Sequence, residues 1–174
     1  MAVRSGPGAF KFVSIQLDKY YMLEALKEAQ KAFEEDEVPV GAIIVSQKRI
    51  IAKAHNQIER LKDPTAHAEM IAITQAASTL GSKWLNEASI YVTIEPCSMC
   101  AGALVLARIK NIVYGAQDPK TGACGSVVNI VNHKKLNHRI TVEKGILEKE
   151  CGSLLKEFFK KKRKKPDFKP YELN

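Results

Sequence analysis

No apolar run in this 174-residue chain approaches the roughly 20 residues that a membrane-spanning helix needs. Met1 to Phe12 lack the apolar stretch of about 7–15 residues of a secretory signal, and their Gly and Pro content reads as a frayed end. Cysteine is scarce, with only Cys97, Cys100, Cys124 and Cys151. In a chain long enough to bury a core and without a secretion signal, these point to a reducing compartment, the cytoplasm, rather than to two disulfides. There is no internal repeat and no low-complexity stretch apart from a basic tail. Acidic side chains are the minority, 19 against 27 Lys and Arg, for a formal charge of +8. Residues 156–174 hold eight basic and three acidic side chains, so most of that excess is C-terminal. Such charge suits nucleic acid, an acidic membrane surface or plain solubility, and says nothing about fold.

The patterning that is present predicts one domain of alternating helices and strands. Tyr20, Leu23, Leu26, Ala29 and Phe33 recur at helical spacing, which predicts an amphipathic helix over Leu17 to Glu34. Val38 to Val45 and Ile50 to His55 are β-rich runs separated by a short polar stretch, a hairpin pattern. Asp63-Pro64-Thr65 reads as a helix start with Asp63 or Thr65 as cap, and Gly81 ends that helix after Leu80. Ser89 to Ile94 is a strand, Pro96 to about Ala107 a helix, and Asn111 to Ala116 a strand. A short helix near Val127 to Leu136, a strand over Arg139 to Val142 and a last helix from Leu147 to about Lys164 follow. This order predicts an α/β fold with a partly parallel sheet, and the spacing of the last two strands suits a parallel crossover.

Three pieces carry chemistry: His67-Ala68-Glu69, Pro96-Cys97-Ser98-Met99-Cys100, and the thirty-residue spacing between them. A lone His near a helix start is usually structural, and a lone Cys-x-x-Cys suits redox as well as metal chemistry. Together they form H-x-E…P-C-x-x-C, the pattern known for zinc-dependent nucleobase deaminases. Cys97 and Cys100, three apart at a helix N-terminus, share one face, where the helix dipole favours thiolate. Two thiolates and one imidazole suit zinc, and no fourth nearby Cys or His closes the set, as in catalytic sites. Zinc brings the pKa of water from about 15.7 to about 7, and Glu69 is the candidate to carry protons. Residues two apart on a helix point in opposed directions, so this assignment requires a helix end rather than a helix interior. A structural zinc knuckle with Glu69 as a helix-end charge competes; a thioredoxin-like redox pair fits less well.

The sequence resembles the cytidine-deaminase superfamily and, within it, the bacterial tRNA-specific adenosine deaminases. The resemblance runs from about Tyr20 to Arg163. It includes Glu37-Val38-Pro39-Val40-Gly41-Ala42, Asp63 to Glu69, Glu95 to Gly102, Gly115 to Gly122, Asn137-His138-Arg139 and Phe158-Phe159. The zinc motif indicates the superfamily; Asp118 to Ser126 and the final Phe-Phe-basic helix indicate the tRNA branch. The resemblance implies a three-layer α/β/α fold with a central mixed five-stranded sheet. It implies a zinc deaminase domain over residues 17–165, an N-terminal extension over 1–16 that is flexible, and a tail over 166–174.

It further implies hydrolytic conversion of the wobble adenosine of a tRNA anticodon to inosine, by a homodimer holding one zinc per subunit. His67, Cys97 and Cys100 would bind zinc and Glu69 would serve as general acid and base. Asn56 would orient the base, or stand as a turn residue at a strand end. Pro39 and Val40 would line an apolar pocket. Asp118 would contact a flanking ribose, or only start a turn before Pro119. Asn137, Phe158 and Phe159 would meet the anticodon loop, although a Phe pair is as readily core. Lys160, Lys161, Lys162 and Arg163 would contact RNA phosphates. His55 stands where the bacterial family often carries an aromatic. The other functions kept open are a small-molecule nucleobase or nucleoside deaminase and a zinc-stabilised RNA-binding module without catalysis.

Overall fold

The computed structural model describes residues 7–164, with side chains from residue 14 onward. The two β-rich runs form β1 (Gly41–Ser46) and β2 (Arg49–His55), antiparallel and joined by Gln47 and Lys48 at φ 49° and 60°. Two successive left-handed residues match the twist of paired strands, and here the turn forms without the Gly or Asn that usually signals it. β1 does not reach back to Val38, because Pro39 has no N–H to pair and Val40 N bonds to Val38 O at 2.8 Å. β1 pairs antiparallel with β3 (Ser89–Ile94), β3 parallel with β4 (Asn111–Ala116), and β4 parallel with β5 (Thr141–Lys144). The sheet is therefore mixed and five-stranded, in the order β2-β1-β3-β4-β5.

Side chains alternate between two buried faces, as strand geometry requires. Ala42, Ile44, Ile90, Val92, Ile112 and Tyr114 pack with α3 (Ala68–Leu80) and α4 (Ser98–Leu106). Ile43, Val45, Tyr91 and Val113 pack with α1 (Pro7–Glu34) and α5 (Glu148–Arg163). The result is the expected three-layer α/β/α arrangement. Ala68, Ala72 and Ala76 give α3 a face of small residues toward the sheet. α1 lies closer still: a Cβ on Gly41 would stand 2.0 Å from Ala25 O and 2.4 Å from Ala29 N, so this position accepts no side chain.

Several elements differ from the expectation. α1 starts ten residues early, at Pro7. Side chains 14–20 are exposed or half-buried and burial begins at Tyr21, so apolar periodicity has no grip on the turns before it. The expected extension thus falls partly inside α1, while residues 1–6 and the tail at 166–174 lie outside the described residues. Neither Asp63 nor Thr65 caps α3; its N-cap is His67, and Asp63 closes a tight turn by accepting from Thr65 N (2.8 Å) and Thr65 Oγ1 (2.7 Å). A one-turn helix, α2 (Ile58–Leu61), precedes it, its free Glu59 and Arg60 N–H groups bonded to the buried Glu37 carboxylate at 3.1 and 2.7 Å.

No helix forms over 127–136. The β4–β5 crossover is parallel as expected but is a loop, because Val127 and Val128 point to solvent while Val131 alone is fully buried, and Asn129 Oδ1 turns the chain by accepting from Asn132 N at 3.1 Å. At the other edge of the sheet, Lys53 N donates to Gln75 Oε1 and Thr79 Oγ1 donates to Ile51 O, both at 3.2 Å.

Candidate active site

Two helix N-termini meet at one point. His67 caps α3 and Cys97 caps α4, both with extended backbone (φ −71°, ψ 152° and φ −72°, ψ 176°), while Cys100 stands in the first turn of α4. His67 Nδ1 lies 3.8 Å from Cys97 Sγ and 3.5 Å from Cys100 Sγ, and all three donor atoms fall within 4.8 Å of one another. Around a tetrahedral zinc with bonds of roughly 2.0–2.3 Å, N and S donors stand about 3.5–3.8 Å apart, so this trio fits such an ion in both chemistry and spacing. A hydrogen bond from the Cys100 thiol holds Cys97 down at about 4, with His67 adding to it; the same contact pushes Cys100 up. The Cys97 sulfur in turn raises His67. Cys124 and Cys151 are inert by contrast, their thiols pushed up to about 12 by burial.

The cap position of His67 removes the difficulty of its spacing from Glu69. His67 is outside the helix and Glu69 is inside its first turn, so the opposed directions of an ideal helix do not apply. Glu69 is 2% exposed, and its Oε2 is a buried side-chain oxygen with no hydrogen-bond partner. Burial pushes its carboxyl above the usual carboxylate range. An orphaned acid oxygen beside three ligand atoms makes Glu69 a candidate to meet a reacting molecule.

Asn56, at the end of β2, is buried and accepts from Ala68 N at 3.3 Å through Oδ1, while its own N–H donates to Val40 O at 3.1 Å. It therefore pins the first turn of α3, between His67 and Glu69, to the start of β1. A cavity of about 420 Å³ opens above the cluster, lined by Val38, Val40, His67, Cys97, Asp118 and Phe159 among others. Pro39 is buried but does not line it; the alternation of extended chain gives that place to Val38, which the sequence reading passed over.

Residues 17–163 match the family model of the MafB19-like deaminases. A tRNA-specific adenosine deaminase of Bacillus subtilis (strain 168) is 49% identical over 148 residues, covering 85% of this chain and 92% of that protein. One from Aquifex aeolicus (strain VF5) is 54% identical over 145 residues, covering 83% and 95%. The chain belongs to the tRNA-specific adenosine deaminase family. A structure from work on A-to-I editing by tRNA:A34 deaminases at the wobble position of transfer RNA is 44% identical, with a TM-score of 0.75, over 78% of this chain and 98% of that one. The guanine deaminase of Nitrosomonas europaea, 20% identical with a TM-score of 0.70 over 91% and 95%, shares the fold.

The remaining positions expected of a tRNA-specific adenosine deaminase are placed unevenly. Asp118 lines the cavity, but its carboxylate is already used to close a turn, accepting from Lys120 N (2.8 Å), Thr121 N (3.2 Å) and Thr121 Oγ1 (2.5 Å). Asn137 is exposed in the β4–β5 loop and does not line the cavity. Phe158 is 3% exposed and meets Phe33 of α1 edge-on at 5.8 Å, whereas Phe159 is 42% exposed at the cavity rim. Phe158→Ala is expected to cost about 3–5 kcal/mol of stability by opening a void against α1. Phe159→Ala, which loses an edge-on contact with the Phe158 ring at 5.5 Å, is expected to cost about 0.5–1.5 kcal/mol in a urea titration while raising KM for an RNA substrate; equal destabilisation by both would refute this division.

Of the basic run, Lys161 lies over the Phe33 ring at 5.0 Å, and Lys162 pairs with Asp36 at 2.8 Å. Lys160 and Arg163 are exposed. Sequence reasoning missed Glu95, Leu155 and Lys120, which also line the cavity. An acid at the end of the apolar run Ile90 to Ile94, next to Pro96-Cys97, was the signal for Glu95.

Proposed function

We propose that this chain hydrolyses the exocyclic amine of adenosine at the wobble position of a tRNA anticodon, giving inosine and ammonia. The observation that carries the reading is the His67–Cys97–Cys100 trio with the unpartnered Glu69 oxygen buried beside it. His67, Cys97 and Cys100 would hold zinc, one per chain. Bound there, zinc supplies Lewis acidity and brings the pKa of water to about 7.

The chain's own groups do the rest. Glu69, held up in pKa and dry, takes the proton of the attacking water. It passes that proton to the ring nitrogen as C6 becomes tetrahedral, then takes the proton of the new C6 hydroxyl and delivers it to the departing amine, so that ammonia leaves and C6 keeps a carbonyl oxygen. Asn56 holds the first turn of α3 in register and orients the base. Val38 and Val40 supply apolar walls, and the cavity of about 420 Å³ has room for a purine. Phe159, exposed at the rim, suits stacking against a neighbouring base of a splayed loop. Lys160 and Arg163 are placed for phosphates; Lys161 and Lys162 reach them after leaving Phe33 and Asp36.

One deaminase domain over residues 17–165 is part of the proposal; the family match over 17–163 supports it, and α1, which begins at Pro7, carries it into the expected extension. A homodimer is part of the proposal; Leu106, 81% exposed, is the most exposed large apolar side chain among the described residues of the single chain. No described helix is long and apolar enough to cross a membrane, and action in the cytoplasm completes the reading.

The test is inosine mapping in an anticodon stem-loop carrying wobble adenosine, with free adenosine beside it, across a salt series. Conversion of the stem-loop alone, with apparent affinity falling steeply between about 50 and 200 mM salt, is the expected result. Turnover of free nucleoside in preference to RNA would move the protein to the small-molecule deaminases.

A further inference from the structure

Glu95 follows the last residue of β3 and precedes the Pro96–Cys97 turn, 2% exposed. Its Oε1 accepts the N–H groups of Cys124 (3.0 Å) and Ser126 (3.1 Å). Its Oε2 accepts the N–H of Asp118 (3.1 Å) and the hydroxyl of Ser126. All four donors lie on one segment, residues 118–126, which is neither helix nor strand. The segment passes so close that a Cβ on Gly122 would stand 2.5 Å from the Glu95 carboxyl carbon and from Asp118 O. Ala123 N donates to Pro96 O at 2.9 Å, which ties the far side of the same segment to the turn. Asp118, Pro119, Lys120 and Thr121 from this segment line the cavity. Isolated bridges from Gly122 to Cys97 and from Cys124 to Asn129 are the segment's own pairing, and Asp118 holds the N–H groups of Lys120 and Thr121. Asp118 itself is fixed at its N–H by Glu95, which holds both ends of the segment through one buried side chain.

We propose that Glu95 is a positioning residue for the deamination, fixing residues 118–121 as the cavity wall against which the RNA flanking the target base binds. The proposal rests on the tRNA deaminase reading above and adds to it a residue that acts through the wall. Because the wall meets substrate and transition state alike, its loosening raises KM and leaves kcat in place.

Glu95→Gln is the main test. Whichever oxygen the amide nitrogen replaces, it faces a backbone N–H, so no rotation of the side chain restores all four bonds. The expected result is a KM for the anticodon stem-loop raised about tenfold, with kcat within about threefold and zinc content unchanged. Ser126→Ala removes one donor hydroxyl and spares the backbone bonds; it is expected to raise KM about threefold, with faster amide exchange over 118–126. An unchanged KM in a folded Ser126→Ala protein, a loss wholly in kcat, or a loss of zinc in either variant would overturn the proposal. Amide exchange is read without substrate. If wild-type protein leaves the stem-loop unconverted, the deaminase reading fails by itself, and exchange still decides whether Glu95 holds the segment.

Discussion

Glu69→Ala and Glu69→Gln are expected to keep their zinc and lose turnover by about 10²- to 10⁴-fold, the scale of a lost general acid and base. Glu69 Oε2 is buried without a partner. Burying an unpaired carboxyl oxygen disfavours folding, and the sequence keeps it there beside two cysteines and a histidine. Glutamine retains the shape and cannot accept and return a proton, so Glu69→Gln separates proton transfer from packing. Its melting temperature is expected to equal or exceed that of wild type, because the orphaned acid is gone. The measurements are inosine formed per minute on the stem-loop and zinc per chain. Turnover within tenfold of wild type would remove Glu69 from proton transfer; loss of zinc would make it a support of the metal site instead.

His67→Ala is expected to abolish turnover by emptying the metal site. Three donors hold the ion, and removing one leaves two sulfurs that burial and their mutual hydrogen bond drive to share a proton. Zinc should fall below about one tenth per chain, since apparent affinities of such sites rest on a complete donor set. The fold should survive, because both hydrophobic clusters about the sheet are built without His67 or Cys97. Chelation of wild type should likewise lower the melting temperature while leaving one cooperative transition, as loss of a ligand of the native state does. Unfolding on chelation, with no turnover regained when zinc is restored, would favour the RNA-binding module held together by its metal.

The sheet and its helices were legible because their periodicities are imposed by burial on both faces, as at Ile43 and Ile44, which point to opposite cores. Where burial does not impose a pattern, local signals misled. Asp63 and Thr65 are good caps, yet they bond each other and leave the helix start to His67. That single shift explains how the His-x-Glu spacing works, and no local rule contains it. Val127 to Leu136 has the apolar content of a helix without its face, and the chain spends it on burying Val131. Of the expected wall residues Val40 lines the cavity and Pro39 does not, and Val38 lines it instead, because which face an extended residue presents depends on where the strand begins. Phe158 and Phe159 divided between core and rim, since neighbours on a helix point about 100° apart. The Glu37 and Glu95 carboxylates were illegible for a different reason: their partners lie 22 to 31 residues away and become neighbours only once the sheet is assembled.

The two bonds from α3 to the outer side of β2 bear on how crowded copies of this chain behave. An open strand is a template on which another extended chain can add, and that is the first step of most sheet-driven aggregation. Here Gln75 occupies Lys53 N, and the Thr79 hydroxyl, shared between Gln75 O and Ile51 O, lies against the next carbonyl, so an incoming strand must displace two side chains before gaining a rung. At the opposite margin, β5 is only four residues long and carries Glu143 and Lys144, a short and charged border that offers little to an invading strand. Both margins of the sheet thereby carry features that oppose the addition of a further strand.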